Sequence, residues 1–525
     1  MNKLITNTPF RVLIVVWILS PLFLSATPPQ PPNPSSYNEG EFLLQFSPTA
    51  SPAFIQAWQD SLNATEVWET ENCSFRLWSV NFPTNTNPPM TNINEVIGKS
   101  KSKPEINSAG LDFRTDIPDA FGGITPGGAP PDFFCPNVYS DSCAVGTNTT
   151  KIAILDTGIG LDSRSGHLMS DELFDPYFNY SYLGYDFVNH DNLPEDFNGH
   201  GTHMAGIIAA YAENTEAHAI ELYAFQTHNA AGYGNISDII LAIDRAISDR
   251  VQLMNMSFSY YSPIPVEVKP HPLQAAIDCA GYEGILTVAA AGNDSYDIDP
   301  VEPLYCYPAS YPCPSLITVA SVGCAGIQSS YSNFGLNSVD VGALGERLVA
   351  PDHLGQYKAA NGTSGATAYV SALAGILYSK LIFQTWLPVK QSVLSGVEIP
   401  TTQLEVNTGG IVHFKHSMDS LLLKYGIDYR AAATQNNIDF KQRSLQVYPN
   451  PVQQSFTAVY RKDQAGIVDV RLYDIRGSLL WNEQRNEGEG IVETPLELPN
   501  SLTPGTYILQ LRTEDQYYSQ KIIKR

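Results

Sequence analysis

A serine opening a helix, a histidine between glycines, an acid ending a core strand and an amide ending another could together do chemistry. Ser364 lies in Asn361-Gly362-Thr363-Ser364-Gly365-Ala366-Thr367-Ala368, which runs on through Tyr369-Val370-Ser371-Ala372-Leu373-Ala374-Gly375-Ile376-Leu377. Ser/Thr ahead of an apolar run reads as a helix N-terminus. Nearly every residue that follows is small, so this helix can pack closely on all sides and belongs at the centre of a fold. Unpaired backbone N–H groups at such a start stabilise negative charge, which suits a nucleophile whose reaction creates an oxyanion. A capping serine on a buried helix would leave the same pattern.

Three further stretches supply what a nucleophilic serine needs. Lys151-Ile152-Ala153-Ile154-Leu155-Asp156-Thr157-Gly158 is a buried-strand pattern, and an acid at its end can be held rigidly enough to orient an imidazole. Asn198-Gly199-His200-Gly201-Thr202-His203-Met204-Ala205-Gly206 sets a histidine between glycines before another small-residue helix. Ile285-Leu286-Thr287-Val288-Ala289-Ala290-Ala291-Gly292-Asn293 is a strand whose terminal amide can aim its donors at a developing oxyanion.

These residues must be positioned by a larger frame. The pattern predicts strands at 152–155, 221–224, 253–257, 285–290 and 317–322, and helices at 203–211, 236–250, 272–282 and 363–381. Such alternation predicts an α/β domain, a parallel sheet with helices on both faces. Catalytic groups at strand ends would then meet in the crevice beyond the sheet.

Asp-Thr-Gly, His-Gly-Thr-His, Ala-Ala-Gly-Asn and Gly-Thr-Ser-x-Ala-Thr, in that order, resemble the subtilisin-like serine proteases (subtilases) over roughly Val145 to Ser420. The resemblance implies a three-layer subtilisin-like fold and an endopeptidase acting on protein or peptide substrates. It implies Ser364 as nucleophile, His200 as general base and then acid, and Asp156 as the group that orients His200. It gives the second histidine, His203, a structural part. Asn293 and the Ser364 backbone N–H would hold the oxyanion. Asn255-Met256-Ser257-Phe258 resembles the edge strand that hydrogen-bonds extended substrate, which makes Ser257, Phe258, Ser259 and Gly292 expected substrate-binding residues. Tyr307-Pro308-Ala309-Ser310-Tyr311-Pro312 and Tyr331-Ser332-Asn333-Phe334-Gly335 also match family segments.

Ala343-Leu344-Gly345 stands where the family has Ala-Pro-Gly, and four further positions depart from the family pattern: Gly365 for methionine, Tyr369 for proline, and Ser259 and Tyr260 for glycines. They support the alternative of an inactive surface binding protein on the same scaffold. No metal ligand is assigned and no cofactor is expected. Asp186, Asp191, Glu195 and Asp196 could bind calcium, although their spacing fits a solvated acidic face better.

The flanks read differently. Residues 1–26 combine Lys3 and Arg11, the apolar run Val12 to Leu19 and the small exit Ser25-Ala26, the pattern of a secretory signal peptide; a signal anchor is the other reading. No later segment is apolar enough to span a membrane. Residues 35–115 alternate strand, helix, strand and helix; placed before a subtilase they resemble its inhibitory propeptide, which is cut away, with an unrelated domain as the alternative. Residues 145–425 would be the peptidase and 426–443 a linker. Residues 444–525 show short alternating strands split by Gly/Pro turns, a small β-sandwich. Tyr-Pro-Asn-Pro, Val-Arg-Leu-Tyr-Asp-Ile-Arg-Gly, Leu-Thr-Pro-Gly-Thr-Tyr-Ile-Leu and the basic end Lys521 to Arg525 resemble the C-terminal sorting domain of type IX secretion. That resemblance implies the type IX machinery as partner and a secreted or cell-surface product that passes through the periplasm. A carbohydrate-binding or adhesive β-module is the alternative.

A formal net charge of −23 argues against nucleic acid as partner. Of seven cysteines, Cys73 falls in the propeptide-like unit, leaving six in a chain bound for an oxidising compartment. Proximity in sequence favours Cys135/Cys143 and Cys306/Cys313, with Cys279/Cys324 as the remainder.

Overall fold

The computed structural model of the chain describes residues 35–80, 93–117, 149–161, 168–169, 171–174, 176–179, 182–214, 220–263, 270–299, 304–381, 385–425, 446–448, 454–462, 465–474, 479–488, 490–499, 501–513 and 517–524. The expected signal peptide (1–26), the linker (426–443) and the Cys135/Cys143 pair lie outside them.

The N-terminal unit contains β1 (Tyr37–Phe46), α1 (Pro52–Leu62), β2 (Ala64–Glu69), β3 (Phe75–Val80), α2 (Ile93–Lys101) and β4 (Ile106–Asp116). Its strands form an antiparallel sheet in the order β2-β3-β1-β4. Ser51 caps α1 by accepting from Phe54 N, and Asn63, left-handed at φ 51°, ends it.

The central part begins with β5 (Thr150–Asp156), α3 (Asp171–Phe174), β6 (Gly184–Asp186), α4 (His200–Asn214), β7 (Ile220–Gln226), β8 (Tyr233–Asn235) and α5 (Ile236–Ser248). It continues with β9 (Leu253–Met256), β10 (Tyr260–Ser262), α6 (Pro272–Tyr282), β11 (Leu286–Ala290), β12 (Tyr305–Tyr307) and β13 (Leu316–Val322). Then come β14 (Val341–Leu344), β15 (Leu348–Pro351), β16 (Tyr357–Ala360), α7 (Thr363–Ser379), α8 (Trp386–Ser395), β17 (Val397–Glu398), β18 (Ile411–Val412) and α9 (Phe414–Tyr425). The main sheet runs β17-β18-β14-β13-β11-β9-β5-β7-β6, parallel except at β17.

Strand alternation sends its side chains to two cores. Ile152, Ile154, Val288, Ile317 and Val319 join α4 and α7 on one face. Ala153, Leu155, Ala289 and Leu316 join α5 and α6 on the other. All of α7 is buried, and its small residues have a steric reason: a Cβ on Gly375 would come within 2.8 Å of Ile152 Cδ1.

Residues 446–524 include two antiparallel sheets, one of Gln446–Tyr448, Ser455–Lys462 and Gly490–Glu497, the other of Leu479–Glu487, Gly466–Asp474, Gly505–Arg512 and Tyr517–Lys524. Both contribute to one core, with Phe456, Tyr460 and Leu496 from the first and Val470, Leu509 and Ile522 from the second.

The N-terminal unit shares the second core with α5 and α6. A Cβ on Gly110 would meet Pro272 Cδ at 2.6 Å, so β4 lies directly on the start of α6. Asp112 Oδ1 accepts from Ser237 N at 2.8 Å, satisfying a free N–H in the first turn of α5 from outside the helix. In return Asp244 on α5 accepts from Glu71 N and Asn72 N at 2.9 and 2.8 Å.

The cysteine pairing differs from expectation. Cys73 is bonded to Cys279 on α6, 206 positions away, so the N-terminal unit is joined covalently to the central part. Cys324 is disulfide-bonded, but not to Cys279. Cys306 and Cys313 are free and buried. Their neighbours explain it: Cys306 Sγ faces Ala291 O, whereas Cys313 Sγ faces Gln274 O on α6. Burial pushes the Cys306 thiol up to about 12.

Burial also raises the Asp112 carboxyl to about 6, against the hydrogen bonds from Ser237 and Asn38, and burial with Asp112 nearby raises Asp238 to about 7. Both groups therefore bind protons more readily folded than unfolded, so their contribution favours folding most at low pH and is lost as pH rises from about 4 to about 7. The Asp112→Asn, Asp238→Asn double variant should show a flatter decline of its urea midpoint between pH 4.5 and 7.5 than the parent. An unchanged slope would remove this account of the interface.

Candidate active site

The chain folds so that Asp156, the last residue of β5, and His200, the first of α4, meet in a buried corner. His200 Nδ1 lies 2.8 Å from Asp156 Oδ1 and 3.0 Å from Oδ2. Asp156 Oδ1 also accepts from Thr157 N at 2.8 Å. The glycines beside them allow close approach of two backbones: a Cβ on Gly201 would come within 2.4 Å of Gly158 O, and Gly158 has φ +106°. Gly201 N donates to Thr157 Oγ1 at 2.8 Å, which locks Asp-Thr-Gly to His-Gly-Thr-His.

Asp196 holds the turn that leads into His200. Its Oδ1 accepts from Asn198 N and Gly199 N, each at 2.8 Å, and its Oδ2 from Thr202 N at 3.0 Å and Thr202 Oγ1 at 2.6 Å. Asp186 accepts from Val188 N, Asn189 N and Asn189 Nδ2, and Asp191 from Leu193 N. Asp186, Asp191 and Asp196 thus hold the backbone of this turn through short-range hydrogen bonds, and among the described residues no cluster of three or more His, Cys, Asp and Glu is arranged to hold a metal. Asp186 and Asp196 are buried, which corrects the expectation of a solvated acidic face for these two, whereas Asp191 is exposed and Glu195 half-buried.

Ser364 is the second residue of α7, and Gly362 rather than a serine is the N-cap. The Ser364 hydroxyl donates to Ser257 O at 3.1 Å, and Ser257 Oγ donates to Ser364 O at 3.0 Å. Asn255 Nδ2 in turn donates to Ser257 Oγ at 2.9 Å. His200 Nε2 has no hydrogen-bond partner among the described residues, so the hydroxyl and the imidazole are not bonded in this state.

Asn293 follows β11. Its Oδ1 accepts from Thr363 N and Thr363 Oγ1, both at 2.9 Å. A backbone N–H must point at the amide oxygen, so Nδ2 faces away as a donor. Thr363 thus has its N–H capped, while Ser364 N–H, in the first turn, has no intrahelical acceptor. Gly292 N donates to Thr363 Oγ1 at 3.2 Å. Because β5, β9 and β11 are neighbours, Asp156, Ser257 and Asn293 all lie at the carboxyl edge of one sheet.

In the sequence Asn333 stands only within a family segment, and its own part shows first in the fold. It is fully buried, its Nδ2 donates to Ala291 O, and its Oδ1 accepts from Asp294 N and Tyr296 N. It clamps the loop that carries Asn293. A lone amide in a loop carries no signal of this in sequence.

Local packing accounts for the departures. A Cβ on Gly365 would meet Leu348 Cδ1 at 2.7 Å, so that leucine fills the space of a side chain there. Tyr369 packs on Tyr211 of α4 with ring centroids 4.6 Å apart. Tyr260 is buried in the core, its hydroxyl 2.5 Å from that of Tyr311. His203 is buried on Lys358 O at 3.0 Å, and burial pushes its imidazole down to about 4.

Ser259 exchanges backbone hydrogen bonds with Asp116, at 3.2 and 3.4 Å. On its other side, residues 114–116 pair with β8 in the register Arg114↔Asn235, Thr115↔Gly234, Asp116↔Tyr233, and Ile117 N donates to Gly232 O at 3.0 Å. The end of the N-terminal unit is thus a strand between β8 and the expected substrate-binding segment, two residues from Ser257.

A family model described as the subtilase family matches residues 147–411, about half of the chain. One described as a secretion system C-terminal sorting domain matches residues 446–525. The chain is 34% identical over 245 residues to a subtilisin of Bacillus pumilus, covering 46% of this chain and 79% of that protein. It is 29% identical over 273 residues to the minor extracellular protease Epr of Bacillus subtilis (strain 168), covering 50% and 38%. It is 27% identical over 290 residues to Subtilisin-like protease 2 of Plasmodium falciparum (isolate 3D7), covering 53% of this chain and 21% of that one. The chain thus spans about a fifth to two fifths of the length of the last two relatives. The solved structure of an epidermin leader peptide processing serine protease (EpiP) from Staphylococcus aureus superposes with a TM-score of 0.54 at 16% identity, over 76% of this chain and 100% of that one, which is a likeness of fold.

Proposed function

Because this chain belongs to the subtilase family, we propose that it is a secreted serine endopeptidase working through Ser364, His200, Asp156 and an acyl-enzyme. The observation that carries this reading is the buried His200–Asp156 bond at 2.8 Å, with Ser364 and Asn293 on the same edge of the sheet. For attack, the Ser364 hydroxyl turns from Ser257 O to His200 Nε2, an atom with no competing partner among the described residues. Its oxygen bonds to the substrate carbonyl carbon while Nε2 takes the proton. Asp156 keeps the hydrogen on Nδ1 and stabilises the imidazolium. Asn293 Nδ2 and Ser364 N–H hold the oxyanion. His200 then returns the proton to the departing amine, and water releases the acyl group by the same steps in reverse.

Residues 444–525, read as a small β-sandwich, are the sorting domain, which indicates type IX secretion to the medium or the cell surface. The strand at 114–117 supports reading residues 35–115 as a propeptide-like unit whose end occupies the cleft. The Cys73–Cys279 bond adds a condition: cutting the chain after residue 117 leaves the unit attached. Processed protein should run as one species on a non-reducing gel and as two on a reducing gel. Loss of the N-terminal piece without reductant would contradict this.

The reading itself is tested with a serine-directed fluorophosphonate. The processed protein should be labelled at Ser364 and lose all peptidase activity. Protein that never labels under any tested pH would point instead to a binding scaffold.

A further inference from the structure

The strand at 114–117 shows more than occlusion. Thr115 is fully buried, and its hydroxyl donates to Gly234 O at 3.1 Å and lies 2.8 Å from His228 Nε2. Since that hydroxyl donates to the carbonyl, it accepts from Nε2–H. Nδ1 is then left to accept from Thr227 Oγ1 at 2.9 Å. The imidazole is held in this one state. It is fully buried, Phe258 lies against it with centroids 4.9 Å apart, and burial together with the nearby His200 pushes it down to about 3. Its backbone is tied to the catalytic corner, with Thr227 N and His228 N both donating to Asp156 O at 2.8 and 3.1 Å. A Cβ on Gly234 would strike His228 Cδ2 at 2.9 Å, so glycine there gives the ring its place.

Register relates this pocket to the cut bond. Asp116 lies opposite Ser259 in antiparallel pairing. A peptide in the same register puts the residue two positions further on opposite Ser257, whose carbonyl holds the Ser364 hydroxyl. If the bond after that residue is cut, the place of Thr115 is the fourth residue upstream of the cut.

We propose that His228 is a specificity-determining residue that makes the cleft prefer a threonine or serine at this fourth position. The inference rests on the endopeptidase reading. The pocket offers one donor, His228 Nε2–H, and one acceptor, Gly234 O, and a hydroxyl serves both. Valine has the shape of threonine but leaves both groups unpaired, and a site built for a hydroxyl rejects the analogue that lacks it. The discrimination should be about tenfold to a hundredfold.

The processed protein is given a mixed peptide library, and the products are read by mass spectrometry. Threonine and serine at the fourth position upstream should be enriched at least about tenfold over valine and alanine, and His228→Phe should abolish that enrichment. Equal use of valine, or an enrichment that survives His228→Phe, overturns the proposal. Absence of any cleavage after the N-terminal piece has been released with reductant marks failure of the endopeptidase reading instead. In that case, and if His228→Phe does not fold, the pocket is read without catalysis in the Ser364→Ala precursor by hydrogen exchange at the Asp116 and Ile117 amides. Thr115→Val should speed their exchange about tenfold while Thr115→Ser leaves it unchanged. A pocket that reads shape alone accepts the isosteric valine, so an unchanged rate with Thr115→Val also overturns the proposal.

Discussion

Ser364→Ala should give a soluble, full-length precursor that keeps its N-terminal unit under reducing conditions, with peptide hydrolysis lowered by about six orders of magnitude. That figure belongs to subtilisin, the type member of the family, and is carried over to this chain. The fold should survive because Gly362, not Ser364, is the N-cap of α7, and alanine is the best helix former. The structural loss is the hydrogen bond to Ser257 O, about 1 kcal/mol. The wild type, in contrast, should be shortened in the stretch after residue 117 and labelled by the fluorophosphonate. Identical shortening of the variant, with no other protease present, would show that Ser364 does not make the cut.

Asn293→Ala should lower kcat by about two to three orders of magnitude with little change in KM, again the size known for this donor in subtilisin. A donor aimed at the oxyanion acts when charge develops, so substrate binding is spared. Alanine also removes the oxygen that caps Thr363 N, at a cost of about 1 kcal/mol to the start of α7. Asn293→Asp separates the two effects, because it keeps an acceptor for Thr363 and loses the Nδ2 donor. An equal loss of kcat in both variants assigns the effect to the donor. Near-wild-type kcat in either one removes Asn293 from the oxyanion site.

Most of the frame was legible in the sequence because its constraints are local. Strands buried on both faces read as continuous apolar runs, and the helices read from their spacing; the predicted helix 272–282 is α6 residue for residue. Asp156, His200, Asn293 and Ser364 stood out because each lies at or close to the end of such an element and within two residues of a glycine, where backbones must pass closely. The short strands β6, β14, β17 and β18 were not predicted. They have two to four residues each, too few to show a period, and neighbouring strands alone make them strands.

Pairings between distant positions were decided only by the tertiary structure. Proximity in sequence favoured Cys306 with Cys313, yet the fold turns them toward Ala291 and Gln274 and brings together Cys73 and Cys279. Thr115 and His228 carry no mutual mark along the chain; they meet because β4 adds to β8, and only then do a hydroxyl, an imidazole and a carbonyl form a pocket. Asn333 becomes a clamp for the same reason, since the buried N–H and C=O groups of the 291–296 loop must find partners and the chain supplies an amide from about 40 positions away. Local sequence sets which residues can do chemistry, while burial across the sheet edge sets what each one faces.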